Sequence, residues 1–423
     1  MTDSLAPVTA PDTTELVLCR QAIEAELARG AHSAIVRMLE LLFELALHLR
    51  ASDVHLSPGV QGITIRMRID GELQDTYILP QGCAGELIAR LKILAGLRTD
   101  EHFAAQDGRF QIPKIGVDGG TVDMRLSIVP VYYGENAVVR LLCGGTESFT
   151  FSTLGFSVEN QVAVAQALAK PYGMILVTGP TGSGKTTTLY TLLQQLDATK
   201  TAIMTIEDPI EYAIAGVNQI QVQPRTGLTF ATGLRSILRQ DPNTIMVGEI
   251  RDGETAGLAV NISLTGHLVL STLHTNDAAT TLPRLLDMKI EPYLIASTVN
   301  VAIGQRLVRR LCERCKVAYT IAPLVRTQVA EFAGTDIMLG DALIYRSGGC
   351  AYCNQTGYQG RVGIHEVMVM SEGLRTLVLE RAPAKVLRAT AISEGMVPLV
   401  HDGFVKVRSG QTSIEEIFKL HHE

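Results

Sequence analysis

The sequence Gly-Pro-Thr-Gly-Ser-Gly-Lys-Thr at positions 179–186 constrains the fold of this chain more than any other stretch. It follows the apolar run 174–177, which is typical of a buried parallel strand, and it precedes a helical pattern at 187–193. A strand, a glycine-rich loop and a helix in this order form a phosphate-binding loop. In such a loop, backbone N–H groups and the helix N-terminus face phosphate oxygens. The alternative is a glycine-rich turn with a surface lysine, which does not account for the flanking strand and helix.

Two side chains of this loop have predicted roles in binding a nucleoside triphosphate. Lys185 is expected to contact the β and γ phosphates of ATP, and the Thr186 hydroxyl is expected to bind Mg²⁺. The nucleotide-binding residues predicted in this stretch are Gly179, Pro180, Thr181, Gly182, Ser183, Gly184, Lys185, Thr186 and Thr187.

Composition limits the class of protein. The length of 423 residues fits two to four domains, and 46% hydrophobic residues suffice for complete cores. A net charge of −6 and the absence of Trp argue against nucleic-acid binding, which usually involves a basic surface and stacking aromatics. The most hydrophobic predicted helix, 33–50, contains Glu40, Glu44 and His48, which argues against a membrane span. We therefore predict a cytoplasmic protein that reaches a membrane only through a partner.

Periodicity predicts a small α+β domain followed by a doubly wound parallel sheet. Residues 63–69 alternate between apolar and polar side chains, and Asp70-Gly71 is typical of a hairpin turn. After residue 158, helical and strand patterns alternate, as expected of an α/β fold. The predicted division is a disordered tail and leading helix (1–32), an N-terminal α+β domain (33–143), a hinge (144–157), a phosphate-loop core (158–305), a zinc-knuckle insert (306–358) and a mostly helical C-terminal region (359–423).

Acidic side chains end two other predicted strands. Glu249 follows the apolar run 245–247, where a carboxylate can engage Mg²⁺ or the attacking water. Three carboxylates, Glu207, Asp208 and Glu211, lie at the C-terminal end of a predicted strand near residue 206, where ligands bind in open α/β sheets. A solvated acidic loop is the alternative for this second group.

Two histidines, His267 and His274, flank one further predicted strand. A histidine close to a γ-phosphate can sense it through a hydrogen bond. A structural role is an equal alternative for both.

Four of the seven cysteines form two Cys-x-x-Cys pairs, Cys312 with Cys315 and Cys350 with Cys353. Four thiolates in two such knuckles form a closed tetrahedral Zn²⁺ site. The spacer 316–349 is longer than that of a usual zinc ribbon, and four ordinary free thiols are the alternative.

Together these motifs resemble the type II secretion and type IV pilus assembly ATPases. The phosphate loop, TIEDPIEY, VGEIRDGETA and TGHLVLSTLHTNDA follow the order and approximate spacing of that family. The earlier segments ASDVHL, RMRIDGEL and QDGRF are similar to its second N-terminal domain. The resemblance runs from about Ser33 to near the C-terminus. It implies a RecA-like P-loop NTPase core, an N-terminal α+β (PAS-like) domain and the tetracysteine insert of the assembly-type members.

The resemblance also implies roles for single residues. Glu249 would organise Mg²⁺ and water, Asp208 and Glu211 would form an aspartate box in which Glu211 polarises the water, and His267 and His274 would form a histidine box. Guanidinium groups can spread γ-phosphate charge in the transition state. The arginines that the family match assigns to nucleotide contact are Arg109, Arg125, Arg235 and Arg239, each with a surface arginine as an equal alternative.

The chain departs from the family pattern in two places. Phe103-Ala104-Ala105 stands where relatives usually have a basic residue and then Leu-Pro, so one phosphate-proximal charge is predicted to be missing. Only about thirty residues precede Ser33, fewer than the separate first docking domain of many relatives has. We therefore expect a short form that lacks this domain.

The resemblance implies a cytoplasmic homohexameric ATPase that uses ATP and Mg²⁺, carries Zn²⁺, and lies peripherally at the inner membrane. Its expected partner is the inner-membrane platform protein of a pilus or secretion machine, and no nucleic acid is expected. Two other interpretations stay open: a nucleic-acid translocase on the same core, and a weakly active regulatory or assembly subunit.

Overall fold

The computed structural model describes residues 13–29, 34–113, 120–142, 149–333 and 343–420. The chain divides into two compact units, Met1–Gly144 with Cys350–Gln355 and Gly145–Gly349 with Thr356–Glu423. Residues 1–12 of the predicted tail and leading helix (1–32), and Gly144 and Gly145 of the predicted hinge, lie outside the described residues.

The first unit is an antiparallel sheet with three helices. The sheet has six strands in the order β3-β2-β1-β6-β5-β4. Its elements are α1 (Thr13–Ala28), α2 (Ile35–His48), β1 (Ala51–Gly59), β2 (Gly62–Ile69), β3 (Glu72–Leu79), α3 (Ala84–Leu94), β4 (Gln106–Pro113), β5 (Thr121–Val131) and β6 (Gly134–Leu142).

Helical spacing explains how α2 joins the core of this unit. Met38, Leu41, Leu42 and Leu45 are spaced i, i+3, i+4 and i+7, and all four are buried. Residues at these positions share one helix face, which packs with the buried side of the sheet.

The second unit contains a mostly parallel sheet of seven strands in the order β15-β12-β7-β11-β10-β8-β9. Only β15 is antiparallel to its neighbour, β12. The helices are α4 (Phe151–Leu154), α5 (Val158–Leu168), α6 (Lys185–Gln194), α7 (Phe230–Ile237), α8 (Gly253–Leu264), α9 (Thr281–Asp287), α10 (Pro292–Thr298), α11 (Pro323–Ala333), α12 (Glu372–Leu379), α13 (Ala384–Ser393), α14 (Leu399–Arg408) and α15 (Ile414–Lys419). The strands are β7 (Gly173–Thr178), β8 (Ile203–Glu207), β9 (Asn218–Gln221), β10 (Thr244–Val247), β11 (Leu268–Leu273), β12 (Val299–Leu311), β13 (Val317–Thr320), β14 (Leu343–Arg346) and β15 (Tyr358–Val369).

The central strands of this sheet are buried along their whole length. Every residue of β7, β8, β10 and β11 is buried. Continuous apolar runs of this kind are typical of parallel strands covered on both faces. Two separate apolar clusters pack with these strands, as a doubly wound sheet requires.

Two long strands cross the boundaries that periodicity predicted. β12 continues past residue 305 to Leu311, and β15 begins at Tyr358 and pairs with β12. The segment predicted as mostly helical therefore opens on a twelve-residue strand, because this stretch completes the edge of the sheet. The remainder is helical, from α12 to α15.

None of the helices in the described ranges combines the length and apolarity that crossing a bilayer needs.

Candidate active site

The carboxyl ends of four parallel strands bring the candidate site together. In register, Thr178 of β7 lies opposite Leu273 of β11, and Val247 of β10 lies opposite both Ser271 and Ile206. The phosphate loop, the acidic segment after β8, Glu249 and His274 all follow these strand ends in the chain. Ligands of open α/β sheets bind at this edge.

The phosphate loop has the conformation that its glycines predict. Gly179, Gly182 and Gly184 have φ angles of 152°, 81° and 86°. A Cβ atom at Gly179 would lie 2.4 Å from the Gln305 carbonyl oxygen, so this position also excludes larger residues sterically. Helix α6 begins at Lys185, directly after the loop, and the Thr186 side chain is exposed.

Lys185 lies over the loop that precedes it. Its Nζ donates to the carbonyl oxygens of Gly179 and Pro180, at 2.8 and 2.9 Å. Burial lowers the pKa of Lys185 and the Arg306 charge lowers it further, while the Glu249 charge opposes this shift. The ammonium group is thus partly desolvated, which strengthens its attraction to an anion.

Gln305 of β12 braces the phosphate loop, a role that the sequence did not predict. Its Nε2 donates to the Ser183 carbonyl oxygen at 2.7 Å, and its Oε1 accepts from the Thr188 hydroxyl at 2.7 Å. Gln305 itself is 1% exposed. No local sequence signal marks such a residue, because it lies more than a hundred positions from the loop it contacts.

Glu249 is the centre of a small charged group after β10. Its carboxylate contacts Arg251 Nη2 at 2.5 Å and His274 Nε2 at 3.2 Å. The hydrogen bond to Glu249 raises the pKa of Arg251, and the Asp208 charge adds to this shift. The structure therefore brings together Glu249 and His274, two of the candidate site residues, and adds Arg251. In the sequence, the signal for Arg251 was its position two residues after Glu249.

The other acidic residues lie on the loop after β8. Asp208 is exposed, Glu211 is partly buried, and the peptide bond between Asp208 and Pro209 is cis. The Glu211 backbone N–H donates to the Tyr190 hydroxyl of α6 at 3.3 Å. This contact links the predicted carboxylate loop to the helix that carries Lys185.

His267 lies at the opposite end of β11 from His274. It precedes Leu268, and its Nδ1 lies 3.1 Å from the Ile262 carbonyl oxygen and 3.2 Å from the Thr265 hydroxyl. A six-residue strand spans roughly 20 Å, so the two histidines cannot share one phosphate. The placement of His267 does not support its predicted contact with the nucleotide.

Arg235 and Arg239 lie on α7 and just after it. Arg235 Nη2 pairs with Glu254 Oε1 of α8 at 2.7 Å, and Arg239 Nη1 donates to the Arg235 carbonyl oxygen at 2.9 Å. The contacts seen in the described ranges do not join either guanidinium group to the phosphate loop, and their predicted role remains a hypothesis.

Arg109 and Arg125 lie directly opposite one another on β4 and β5 of the first unit. Arg140 of β6 lies opposite Arg125, and its Nε donates to Asp53 at 2.9 Å. Like charges on neighbouring strands repel, so this row suits an anionic ligand. Arg140 was not predicted, since only the strand register reveals it.

The Phe103 position of the first unit is open to solvent. Its side chain is 91% exposed, and its backbone N–H donates to Glu101 Oε1 at 2.8 Å. A basic side chain at this position, which the family resemblance leads one to expect, would be free to reach a ligand.

The two cysteine pairs form one cluster. The Sγ atoms of Cys312, Cys315, Cys350 and Cys353 all lie within 4.8 Å of one another. Zn–S bonds of about 2.3 Å in a tetrahedron place sulfur atoms about 3.8 Å apart, so the cluster fits this ion. A Cβ at Gly348 would lie 2.1 Å from the Cys315 carbonyl oxygen, which explains the glycine beside the second knuckle.

Comparisons with known proteins identify the family of this chain. A family model described as "Type II/IV secretion system protein" matches residues 29–419. The type IV pilus assembly ATPase PilB of Myxococcus xanthus (strain DK1622) is 44% identical over 394 residues, 93% of this chain and 69% of that protein. The type II secretion system protein HxcR of Pseudomonas aeruginosa is 43% identical over 386 residues, 91% of this chain and 77% of that protein.

A solved structure of the pilus retraction motor PilT with bound ADP has a TM-score of 0.59 and 26% identity, over 90% of this chain and 95% of that one. The predicted family and the α/β fold with a tetracysteine cluster are confirmed. The chain therefore belongs to the type II/IV secretion system protein family.

Proposed function

We propose that this chain is a Mg²⁺-dependent ATPase that performs mechanical work for type IV pilus assembly or type II secretion. One observation carries the proposal: Lys185, Glu249 and His274 all follow carboxyl ends of adjacent parallel strands. The Lys185 ammonium group provides a positive charge for the phosphates, and Glu249 with His274 provides a carboxylate–imidazole pair on the same edge of the sheet. The names of the relatives, a pilus assembly ATPase and a type II secretion protein, support the same function.

In the proposed reaction, water attacks the γ-phosphate of ATP in line with the leaving group. Lys185 leaves the Gly179 and Pro180 carbonyl oxygens and contacts the β and γ phosphates. Glu211 polarises the water, and Glu249 orients water and the metal ligands, with His274 holding the Glu249 carboxylate. Thr186 and Glu249 would hold Mg²⁺, which would supply charge neutralisation at the phosphates.

The cysteine cluster is proposed to hold one structural Zn²⁺. All four ligands are thiolates from the protein, so no coordination position is left for water or substrate. This ion would stabilise the segment between the knuckles and take no part in hydrolysis.

The proposed assembly is a homohexamer that acts on a platform protein of the inner membrane. The family match and the relatives named for pilus assembly and type II secretion support work for such a machine, and the ring and its platform partner are inferred from the family resemblance. We place the protein in the cytoplasm, peripheral to the inner membrane through its partner. A platform protein would receive the work of a ring in which subunits hydrolyse ATP in turn.

Phosphate release from the purified full chain tests the proposal. Lys185→Ala should abolish most turnover and weaken ATP binding, because the phosphates lose their cation. Glu249→Gln keeps the side-chain shape, so ATP should still bind while hydrolysis falls by roughly 10²- to 10⁴-fold.

Matched controls are Lys200→Ala and Glu372→Gln, whose side chains are 83% and 95% exposed. Both should keep wild-type turnover. Full activity in either site variant would refute the assignment, and an inactive wild-type chain would favour the regulatory subunit.

A further inference from the structure

A buried carboxylate lies beside the loop that carries Glu211. Glu207, the last residue of β8, is 2% exposed. Its Oε1 accepts from the Thr205 hydroxyl at 2.6 Å and from Gln219 Nε2 at 3.1 Å, and its Oε2 accepts from the Tyr190 hydroxyl. All three partners are donors, which suits an ionised carboxylate. A buried charge without hydrogen-bond partners would cost free energy of folding, so these three hydrogen bonds are needed to keep the Glu207 carboxylate buried.

Tyr190 connects this carboxylate to the Glu211 backbone. It lies on α6, is fully buried, and its hydroxyl oxygen accepts from the Glu211 N–H at 3.3 Å. A hydroxyl has a single proton, which here points to Glu207. The lone pairs of the Tyr190 oxygen are therefore left for the Glu211 amide and for Gln219 Nε2, which lies 3.5 Å away. Burial and the hydrogen bond to Glu207 raise the pKa of Tyr190, so this proton stays in place at neutral pH.

Gln219 of β9 fixes the chain on the other side of Glu211. Its Nε2 donates to the Tyr212 carbonyl oxygen at 3.1 Å, and its Oε1 accepts from the Ile214 N–H at 2.7 Å. The Tyr212 ring packs edge-on against Tyr190, with centroids 4.7 Å apart. Two elements, α6 and β9, thus hold the backbone of one short loop, and Glu207 of β8 bonds to the side chains that hold it.

We propose that Tyr190 is a positioning residue for Glu211 and that Glu207 orients the Tyr190 hydroxyl. This inference rests on the proposed function, in which Glu211 polarises the attacking water. Helix α6 begins at Lys185, so the element that carries the phosphate-binding ammonium also holds the water-polarising residue. One rigid helix then sets the separation between the Lys185 ammonium group and the Glu211 backbone. Misplacement by about 1 Å can cost on the order of 100-fold in rate.

The test is Tyr190→Phe in the full chain, which removes the hydroxyl and keeps the buried ring. We expect kcat to fall about tenfold, the kinetic equivalent of one lost hydrogen bond, while the Kd of a non-hydrolysable ATP analogue changes less than about twofold. Tyr358→Phe is the matched control, because it also removes one buried tyrosine hydroxyl, which bonds to Ser413 outside the Glu211 loop. This control should keep its kcat.

A double-mutant cycle separates positioning from a general structural effect. Single-turnover phosphate release is measured for Glu211→Ala, Tyr190→Phe and the double variant, so that slow rates remain measurable. If Tyr190 acts through Glu211, the double variant is no slower than Glu211→Ala. A further tenfold loss in the double variant would overturn the inference. A joint loss of ATP-analogue binding and thermal stability in Tyr190→Phe would also overturn it.

The same cycle distinguishes the inference from the proposed function. Wild-type turnover in Glu211→Ala would show that Glu211 has no catalytic role, which would refute both its proposed polarisation of the water and the positioning role of Tyr190. A slow Glu211→Ala with a fully active Tyr190→Phe would leave the proposed function intact and refute the positioning role alone.

Discussion

The His365 side chain of β15 is fully buried in the second unit. Its ring stacks on Phe156 with centroids 3.7 Å apart, and its backbone N–H donates to Asp402 Oδ2 at 2.8 Å. Asp402 in turn pairs with Lys406. Burial, together with the Lys406 charge, holds the pKa of His365 well below the ordinary value of 6.5. This histidine is therefore neutral in the folded state.

Neutral burial of His365 predicts a pH dependence of stability. Below about pH 6.5 the unfolded chain binds a proton at this residue that the folded chain does not, so the stabilisation present above that pH is lost as the pH falls. The expected slope approaches about 1.4 kcal/mol per pH unit. Urea unfolding between pH 7.5 and 5.5 measures it. His365→Gln cannot take up the proton and should reduce the slope, and an unchanged slope would exclude His365 as its source.

At the scale of elements, the cysteine cluster depends on two knuckles separated by a long segment. β13, α11 and β14 lie between them, and β13 pairs with β14. Within the first knuckle, the Lys316 N–H donates to the Cys312 carbonyl oxygen at 3.0 Å. The spacer exceeded the usual zinc-ribbon length because it forms secondary structure of its own.

Elemental analysis of protein purified without chelator should give about one zinc per chain. Cys312→Ser removes one of four ligands, so we expect zinc loss and a lower melting temperature, with a smaller effect on ATP affinity. The control is Cys83→Ser, a buried thiol outside the cluster, which should leave the zinc content unchanged. Zinc near zero in the wild type, with four freely titratable thiols, would contradict the assignment.

At the scale of the whole molecule, the first unit has a row of arginines that does not belong to the proposed site of the second unit. Arg109, Arg125 and Arg140 lie side by side on three neighbouring strands. The family resemblance assigns Arg109 and Arg125 to nucleotide contact. Their charge matches a γ-phosphate, which ATP has and ADP lacks.

We predict that Arg125→Ala lowers ATP turnover while ADP affinity stays nearly unchanged. The guanidinium group is expected to stabilise charge on the γ-phosphate, so its loss affects only the triphosphate state. Steady-state phosphate release and ADP titration measure the two quantities. Arg98→Ala, at a side chain that is 70% exposed, is the control. An equal loss of ADP affinity in Arg125→Ala would show that the residue acts on both nucleotides or on the fold.

The sequence by itself determined the features that depend on short stretches of chain. The phosphate loop was predictable because its glycines need positive φ angles and its flanks have strand and helix patterns. The Asp70-Gly71 hairpin and the cysteine knuckles follow from equally local rules. The separation of His267 and His274 was also encoded in the length of β11, although the motif suggested a common site.

Only the tertiary structure decided which distant side chains support the site. Gln305 lies 122 positions from the residue it braces, Ser183, and Tyr190 meets the Glu211 amide 21 positions away. Such contacts arise when parallel strands and their crossover helices stack, and they leave no periodic signal in the sequence. The order of the strands in the sheet, which sets every one of these neighbours, is itself a property of the folded chain.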